Sequence, residues 1–169
     1  MWRIFIFFTF LLGCSVHVFS QRKDTIPNFS KFIRMESNTP FTRDSLNRAN
    51  RQVFILFDPG CGHCQELGQG LAKSLDRIVK SVDIYFVSMQ PKKQVDGYIN
   101  MFAPGLGKDA RVHFLFDPEG EFILNFNPRN FPSTYIYEEG SGRLIHHIDG
   151  EGKMTEILPH LTVAVGDQD

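Results

Sequence analysis

The feature that most restricts the fold is the run Gln52 to Phe57, Q-V-F-I-L-F, together with the segment directly after it. Five consecutive apolar residues leave no polar face, so the run reads as a strand buried on both sides. Asp58-Pro59-Gly60 ends it, Cys61-Gly62-His63-Cys64 comes next, and helical periodicity then begins at once. From Cys64 to Val79, Leu67, Leu71, Leu75, Ile78 and Val79 fall on one side, with Gln65, Glu66, Lys73 and Asp76 on the other. Gly68 and Gly70 weaken this helix as a local structure and point to close packing against it.

The remaining segments continue the alternation. Asn28 to Met35 carries Phe29, Ile33 and Met35 among polar residues, an irregular first strand. Asn38-Thr39-Pro40 marks a turn, and Thr42 caps a short helix reaching Leu46. Asp83 to Met89 is a second buried strand, Gln94 to Phe102 a helix closed by Pro104-Gly105, and Val112 to Phe116 a third strand. Asp117 to Gly120 turns the chain into one or two helical turns over Glu121 to Phe126. Thr134 to Tyr137 and Leu144 to Ile148 form a hairpin across Glu138 to Gly142. A final helix is expected over Met154 to Val163, kinked or shifted in its start by Pro159. Early alternation implies parallel strands with right-handed crossovers, and the late hairpin adds antiparallel strands at one edge. The expected class is α/β, a central mixed sheet flanked by helices.

The length of 169 residues accommodates one such domain, expected over 28–165 after a polar, flexible approach at 21–27. A chain of this size buries about two thirds of its unfolded surface, so it needs no disulfide or metal staple. Eighteen basic residues against 19 acidic ones leave a net charge of -1, which excludes the basic excess of a nucleic-acid binder. The 17 Phe are read as core plus leader rather than as a ligand cage.

Residues 1–20 have the form of an export signal. Arg3 supplies the charge, and Ile4 to Leu12 is an apolar run too short for a comfortable membrane span. Val18 and Ser20 fit cleavage before Gln21, and Leu11-Leu12-Gly13-Cys14 resembles a lipobox in which Cys14 would be acylated. The small-residue pattern favours cleavage after Ser20. An uncleaved anchor is the third alternative, and all three place the domain outside the cytoplasm, in the periplasm. Of the three Cys, Cys14 lies in this leader, so both Cys of the domain fall within one motif. In an exported protein that points to a working redox pair.

A Cys at a helix start faces unpaired backbone N–H groups and the positive end of the helix dipole, both of which stabilise a thiolate. Thiolate is the attacking species in disulfide exchange. Cys61 is therefore the expected nucleophile, and Cys64, one turn further on, the resolving thiol. Gly62 and His63 tune the potential, because a protonated His63 stabilises the Cys61 thiolate and with it the reduced form. Such exchange calls for no cofactor. Zinc needs four ligands, and one C-x-x-C supplies two. A copper chaperone using Cys61, Cys64 and either His146 or His147 is a rival reading, although surface histidines are the simpler account of that pair. A non-catalytic binding module is another rival. A peroxiredoxin would carry Thr or Ser three residues before its reactive Cys, where this chain has Asp58.

On Q-V-F-I-L-F-D-P-G-C-G-H-C-Q the chain resembles the thioredoxin-like superfamily, and in particular the extracytoplasmic TlpA-like redoxins. The likeness runs from about Ile26 to Leu161. It includes Ser88-Met89 after the second strand, F-D-P-E-G before the short helix, and F-P-S-T-Y-I-Y followed by E-E-G-S-G-R-L. The resemblance implies a thioredoxin fold and a cis Pro132 facing the Cys pair, with the backbone of Phe131 exposed to a bound substrate strand; Pro128 is the rival candidate, but it lacks the apolar strand that follows Pro132. The resemblance also implies thiols and disulfides of exported proteins as partners, and a reductase role recharged by a membrane electron donor. The Gly-His spacer, shared with protein disulfide isomerase, tilts the other way, toward oxidation or isomerisation. Thioredoxin's Trp before the motif is here Gly60, and its buried acid six residues before the first Cys is Ile55. Proton transfer to the second Cys therefore falls to Glu66 or to water.

Overall fold

A computed structural model describes residues 24–162. The expected leader, its Cys14 lipidation site, the first residues of the approach and the last three residues of the expected domain lie outside them. Seven strands form one sheet: β1 (Phe32–Arg34), β2 (Pro40–Phe41), β3 (Arg51–Leu56), β4 (Val82–Ser88), β5 (Val112–Phe116), β6 (Ser133–Tyr137) and β7 (Leu144–Asp149). Their order across the sheet is β2-β1-β5-β4-β3-β6-β7. The helices are α1 (Gly62–Ser74), α2 (Lys92–Phe102), α3 (Glu121–Phe126) and α4 (Pro159–Thr162). β3, β4 and β5 run parallel, and β6 and β7 extend the sheet antiparallel beyond β3. The expected mixed α/β sheet is thus present. It has a second antiparallel edge, where β1 pairs with β5 and β2 with β1.

The continuous apolar run of β3 serves two cores. Val53, Ile55 and Phe57 point to the face covered by α1, α2 and the C-terminal segment, joined there by Leu67, Leu71, Phe86, Tyr98 and Leu161. Phe54 and Leu56 point to the other face, under Phe29, Phe32 and Phe41 of the N-terminal segment and Phe122 and Phe126 of α3. The side chains of a strand alternate between faces, so only an unbroken apolar run can feed both layers. The Phe-rich composition is accounted for on the second face: Phe54 stacks on Tyr85 at 4.9 Å, and Phe122 on Phe126 at 4.1 Å.

Several boundaries differ from expectation. The first strand is only Phe32–Arg34, and the Asn38–Pro40 turn delivers Pro40–Phe41 as an extra edge strand, with Asn38 at φ 55°. The segment after Thr42 is a single 3-10 turn, Arg43–Ser45. α1 ends at Ser74 rather than Val79. Arg111 explains the early stop: its guanidinium donates to the carbonyls of Leu75 at 2.9 Å and Ile78 at 2.7 Å, taking acceptors that further helix would need. The last helix begins at Pro159, because a proline's missing N–H costs nothing in the first turn. Residues 154–158 before it are turns.

Candidate active site

Cys61 is positioned by the turn that leaves β3. Asp58 Oδ1 accepts the Gly60 N–H at 2.7 Å, and the Asp58 carbonyl accepts the Cys61 N–H at 3.0 Å. Cys61 is the N-cap of α1, in extended conformation (φ -82°, ψ 125°), and its carbonyl receives the Gln65 N–H at 3.0 Å. It is half-buried, whereas Cys64, one turn along, is 1% exposed. Burial pushes the Cys64 thiol well above its ordinary range. A hydrogen bond and the charge of Cys61 push the same way, and the Asp58 backbone opposes them.

The second half of the site comes from β6. That strand pairs antiparallel with β3, matching Ser133 to Leu56, so the start of β6 lies beside the end of β3. The segment entering β6 therefore sits against the Cys61 turn. Its Phe131–Pro132 peptide bond is cis, and the Phe131 carbonyl accepts a hydrogen bond from Cys61 Sγ at 3.6 Å. The Phe131 ring packs on both cores.

His63 and Glu66 occupy the outer side of the first turn of α1. Their side chains are 66% and 51% exposed, with Nδ1 and Oε2 3.9 Å apart. The Glu66 carboxylate thus faces His63 and solvent, on the side opposite the buried thiol. Gly62 has open space where a side chain would be. A β-carbon on Gly152 would stand 2.5 Å from the His63 carbonyl, so the chain after β7 runs hard against this turn.

Two groups beside Cys64 had no signal in the motif. Tyr98 of α2 donates from its hydroxyl to the Cys64 carbonyl at 2.9 Å, and burial pushes its phenol above the ordinary range. Its ring reaches α1 because Gly68 has no side chain: a β-carbon there would lie 2.1 Å from the Tyr98 hydroxyl. Asp58 Oδ2 accepts from Gln90 Nε2 at 3.1 Å, tying the Cys61 turn to the chain leaving β4. The Asp-Pro-Gly turn could have nominated Asp58. Nothing local pairs Tyr98 with Gly68.

His146 and His147 point to opposite faces of β7, as alternation requires, but neither is the surface residue expected. The His146 ring stacks on His160 at 4.1 Å, and its Nε2 is buried without a hydrogen-bond partner. His147 stacks on Tyr135 at 4.1 Å, with Nε2 3.2 Å from Asp149 Oδ2. Cover from α4 on one face and the hairpin register on the other account for their burial. Among the described residues, no group of three or more His, Cys, Asp or Glu is arranged to hold a metal ion.

This combination defines a class. A parallel βα start, an N-capping Cys with a second Cys one turn later, and an antiparallel strand entered through cis-proline together make a thioredoxin fold. Solved structures agree. A secreted Mycobacterium tuberculosis disulfide oxidoreductase homologous to E. coli DsbE superposes with a TM-score of 0.62 at 15% identity, over 79% of this chain and 93% of that one. The exposed lipoprotein thioredoxin of Streptococcus pneumoniae gives 0.59 at 13%, over 79% and 97%. A thiol:disulfide interchange protein of the thioredoxin family from Chlorobium tepidum gives 0.58 at 17%, over 83% and 95%. Neither a protein-family profile nor a curated protein matches the sequence.

Proposed function

We propose that the chain is an extracytoplasmic thiol-disulfide oxidoreductase acting on exported proteins. The observation that carries this reading is the asymmetry of the two sulfurs. Cys61 is reachable at a helix start beside the Phe131 carbonyl, and Cys64 is closed off behind it. In the reducing direction, the Cys61 thiolate attacks a substrate disulfide, forms a mixed disulfide and releases one substrate thiolate. Cys64 loses its proton and attacks the Cys61 sulfur. The second substrate thiolate leaves, and a Cys61–Cys64 disulfide has taken up the oxidising equivalents. A membrane electron donor then returns two electrons. Phe131 and Pro132 offer the backbone edge against which the substrate strand lies.

Protonation of His63 favours the reduced pair, and the Glu66 carboxylate, 3.9 Å from its Nδ1, holds the ring in place, while the proton of Cys64 passes to water. The thiol-disulfide oxidoreductases among the structural neighbours support the chemistry. The secreted and lipoprotein neighbours support an exported location, either free after cleavage at Ser20 or anchored through Cys14.

The decisive experiment is disulfide exchange by the purified domain. Reduced protein is mixed with insulin, and the loss of its two thiols is followed. Wild type transfers both electrons, Cys61→Ser transfers none, and Cys64→Ser stops at a mixed disulfide through Cys61. Failure of the wild type in both insulin reduction and oxidation of a reduced peptide ends the proposal. Equilibration with glutathione then sets the direction: a potential clearly below that of disulfide isomerase, ~-180 mV, supports the reductase. His63→Ala lowers the potential by about 30 mV, a tenfold change in the equilibrium constant.

A further inference from the structure

The segment that meets Cys61 is gripped from outside by the end of β7. Asp149 Oδ1 accepts the Ser133 hydroxyl at 2.5 Å and the Arg129 backbone N–H at 3.3 Å. The next residue, Gly150, donates its N–H to the Pro132 carbonyl at 2.7 Å. Arg129 precedes the Phe131–Pro132 pair and Ser133 comes after it, so one carboxylate spans both ends of the segment carrying the Phe131 carbonyl. Asp149 Oδ2 lies 3.2 Å from His147 Nε2, and that nitrogen is also 3.4 Å from Ser133 Oγ. The His147 ring lies flat on Tyr135, whose hydroxyl donates to the Phe126 carbonyl at 2.9 Å.

The cluster is buried: Ser133 is 0% exposed, and the side chains of His147 and Asp149 are 12% and 14% exposed. Burial alone would raise the Asp149 carboxyl, but the bonds from Ser133, Arg129 and His147 outweigh it and hold the carboxyl below its usual range. A buried carboxylate bonded this fully is a rigid strut rather than a solvated surface charge.

The trio is not a hydrolytic relay. In such a relay the imidazole separates Ser from Asp, using a different ring nitrogen for each, and the Ser faces substrate. Here one nitrogen faces both partners, Ser133 bonds Asp149 directly, and its hydroxyl has no access to solvent.

We infer that Asp149 is a positioning residue for polypeptide substrates, holding the Phe131 edge in register with Cys61 through Ser133, Arg129 and the neighbouring Gly150. The inference rests on the thiol-disulfide exchange proposed above. A small disulfide needs only the Cys61 sulfur, but a polypeptide strand must also lie along the Phe131 edge. Loosening the strut therefore discriminates between the two.

The test is a single-turnover measurement. Reduced protein is mixed with insulin or with hydroxyethyl disulfide, quenched in acid, and its remaining thiols are counted by mass. Asp149→Ala raises the ratio of the small-disulfide rate constant to the insulin rate constant about tenfold, and Ser133→Ala moves it in the same direction. Asp149→Asn keeps an acceptor for Arg129 and Ser133 and restores most of the wild-type ratio. A merely structural role slows both reactions together. An unchanged ratio in whichever of Asp149→Ala and Ser133→Ala folds overturns the inference. A wild type that exchanges with neither disulfide instead overturns the proposed chemistry, so the two failures are told apart.

Discussion

Cys61 and Cys64 are three residues apart yet occupy different media. One is half-exposed at a helix cap, and the other is 1% exposed in the core. Iodoacetamide is therefore expected to label Cys61 in the native reduced protein and to reach Cys64 only after unfolding. Peptide mapping checks this, and native labelling of Cys64 at a comparable rate would remove the basis for separate roles. Gly68 is the second residue whose identity is set by contact. Gly68→Ala places a carbon 2.1 Å from the Tyr98 hydroxyl and 2.8 Å from its ring. Overpacking of this kind costs about 1–3 kcal/mol. Adding Tyr98→Phe recovers part of the loss, because the nearest clashing atom is then gone. Urea midpoints of the single and double variants measure both effects.

Among the elements, α4 and β5 carry two buried histidines that make the fold sensitive to mild acid. Burial, and then the nearby charges of His146 and Arg51, lower the His160 pKa, with Glu156 opposing. Burial also lowers that of His113 on β5, against the pull of Asp83. In the unfolded chain both rings take up a proton near pH 6.5, while the folded state resists doing so until lower pH. The unfolded state then binds more protons, and stability falls as pH drops through about 6.5. Well above pH 7 these two groups contribute almost no slope. Denaturation midpoints at pH 7.5, 6.5 and 5.5 should show the decline, and His160→Gln and His113→Gln should each flatten part of it. A wild-type midpoint independent of pH over that range rejects the account. The helix ends show a related dependence on partners: α1 was readable from its periodicity, but its stop at Ser74 was not, since Arg111 comes from a distant segment.

For the whole molecule, the sheet separates the face that bears the Cys pair from an aromatic one. α1 and the Cys pair pack on one side. On the other, rings from the N-terminal segment, β3, β4, α3 and β6 interlock around Phe54, which contacts Phe29, Tyr85, Phe126 and Tyr137. Phe54→Ala is expected to cost about 3–5 kcal/mol, the range for a buried aromatic. In a chain of this size that lowers Tm by about 2–4 °C per kcal/mol. The proposed exchange chemistry is expected to survive at room temperature as long as the protein stays folded, because Phe54 faces away from the sulfurs. Calorimetry with a parallel exchange assay checks both halves.

What the chain settled by itself is local: an unbroken apolar strand, a turn, two Cys at a helix start, and the alternation that makes a mixed sheet. These arise from side-chain period and backbone hydrogen bonding, which act over a few residues. What meets the sulfurs was decided only in three dimensions. Phe131 stands against Cys61 across seventy residues because β6 runs antiparallel to β3 in one register. Tyr98 reaches Cys64, and Asp149 spans the Phe131 segment, because layers pack and hairpins close. Contacts of that kind depend on burial and register summed over the whole sheet, and no short stretch of sequence carries their mark.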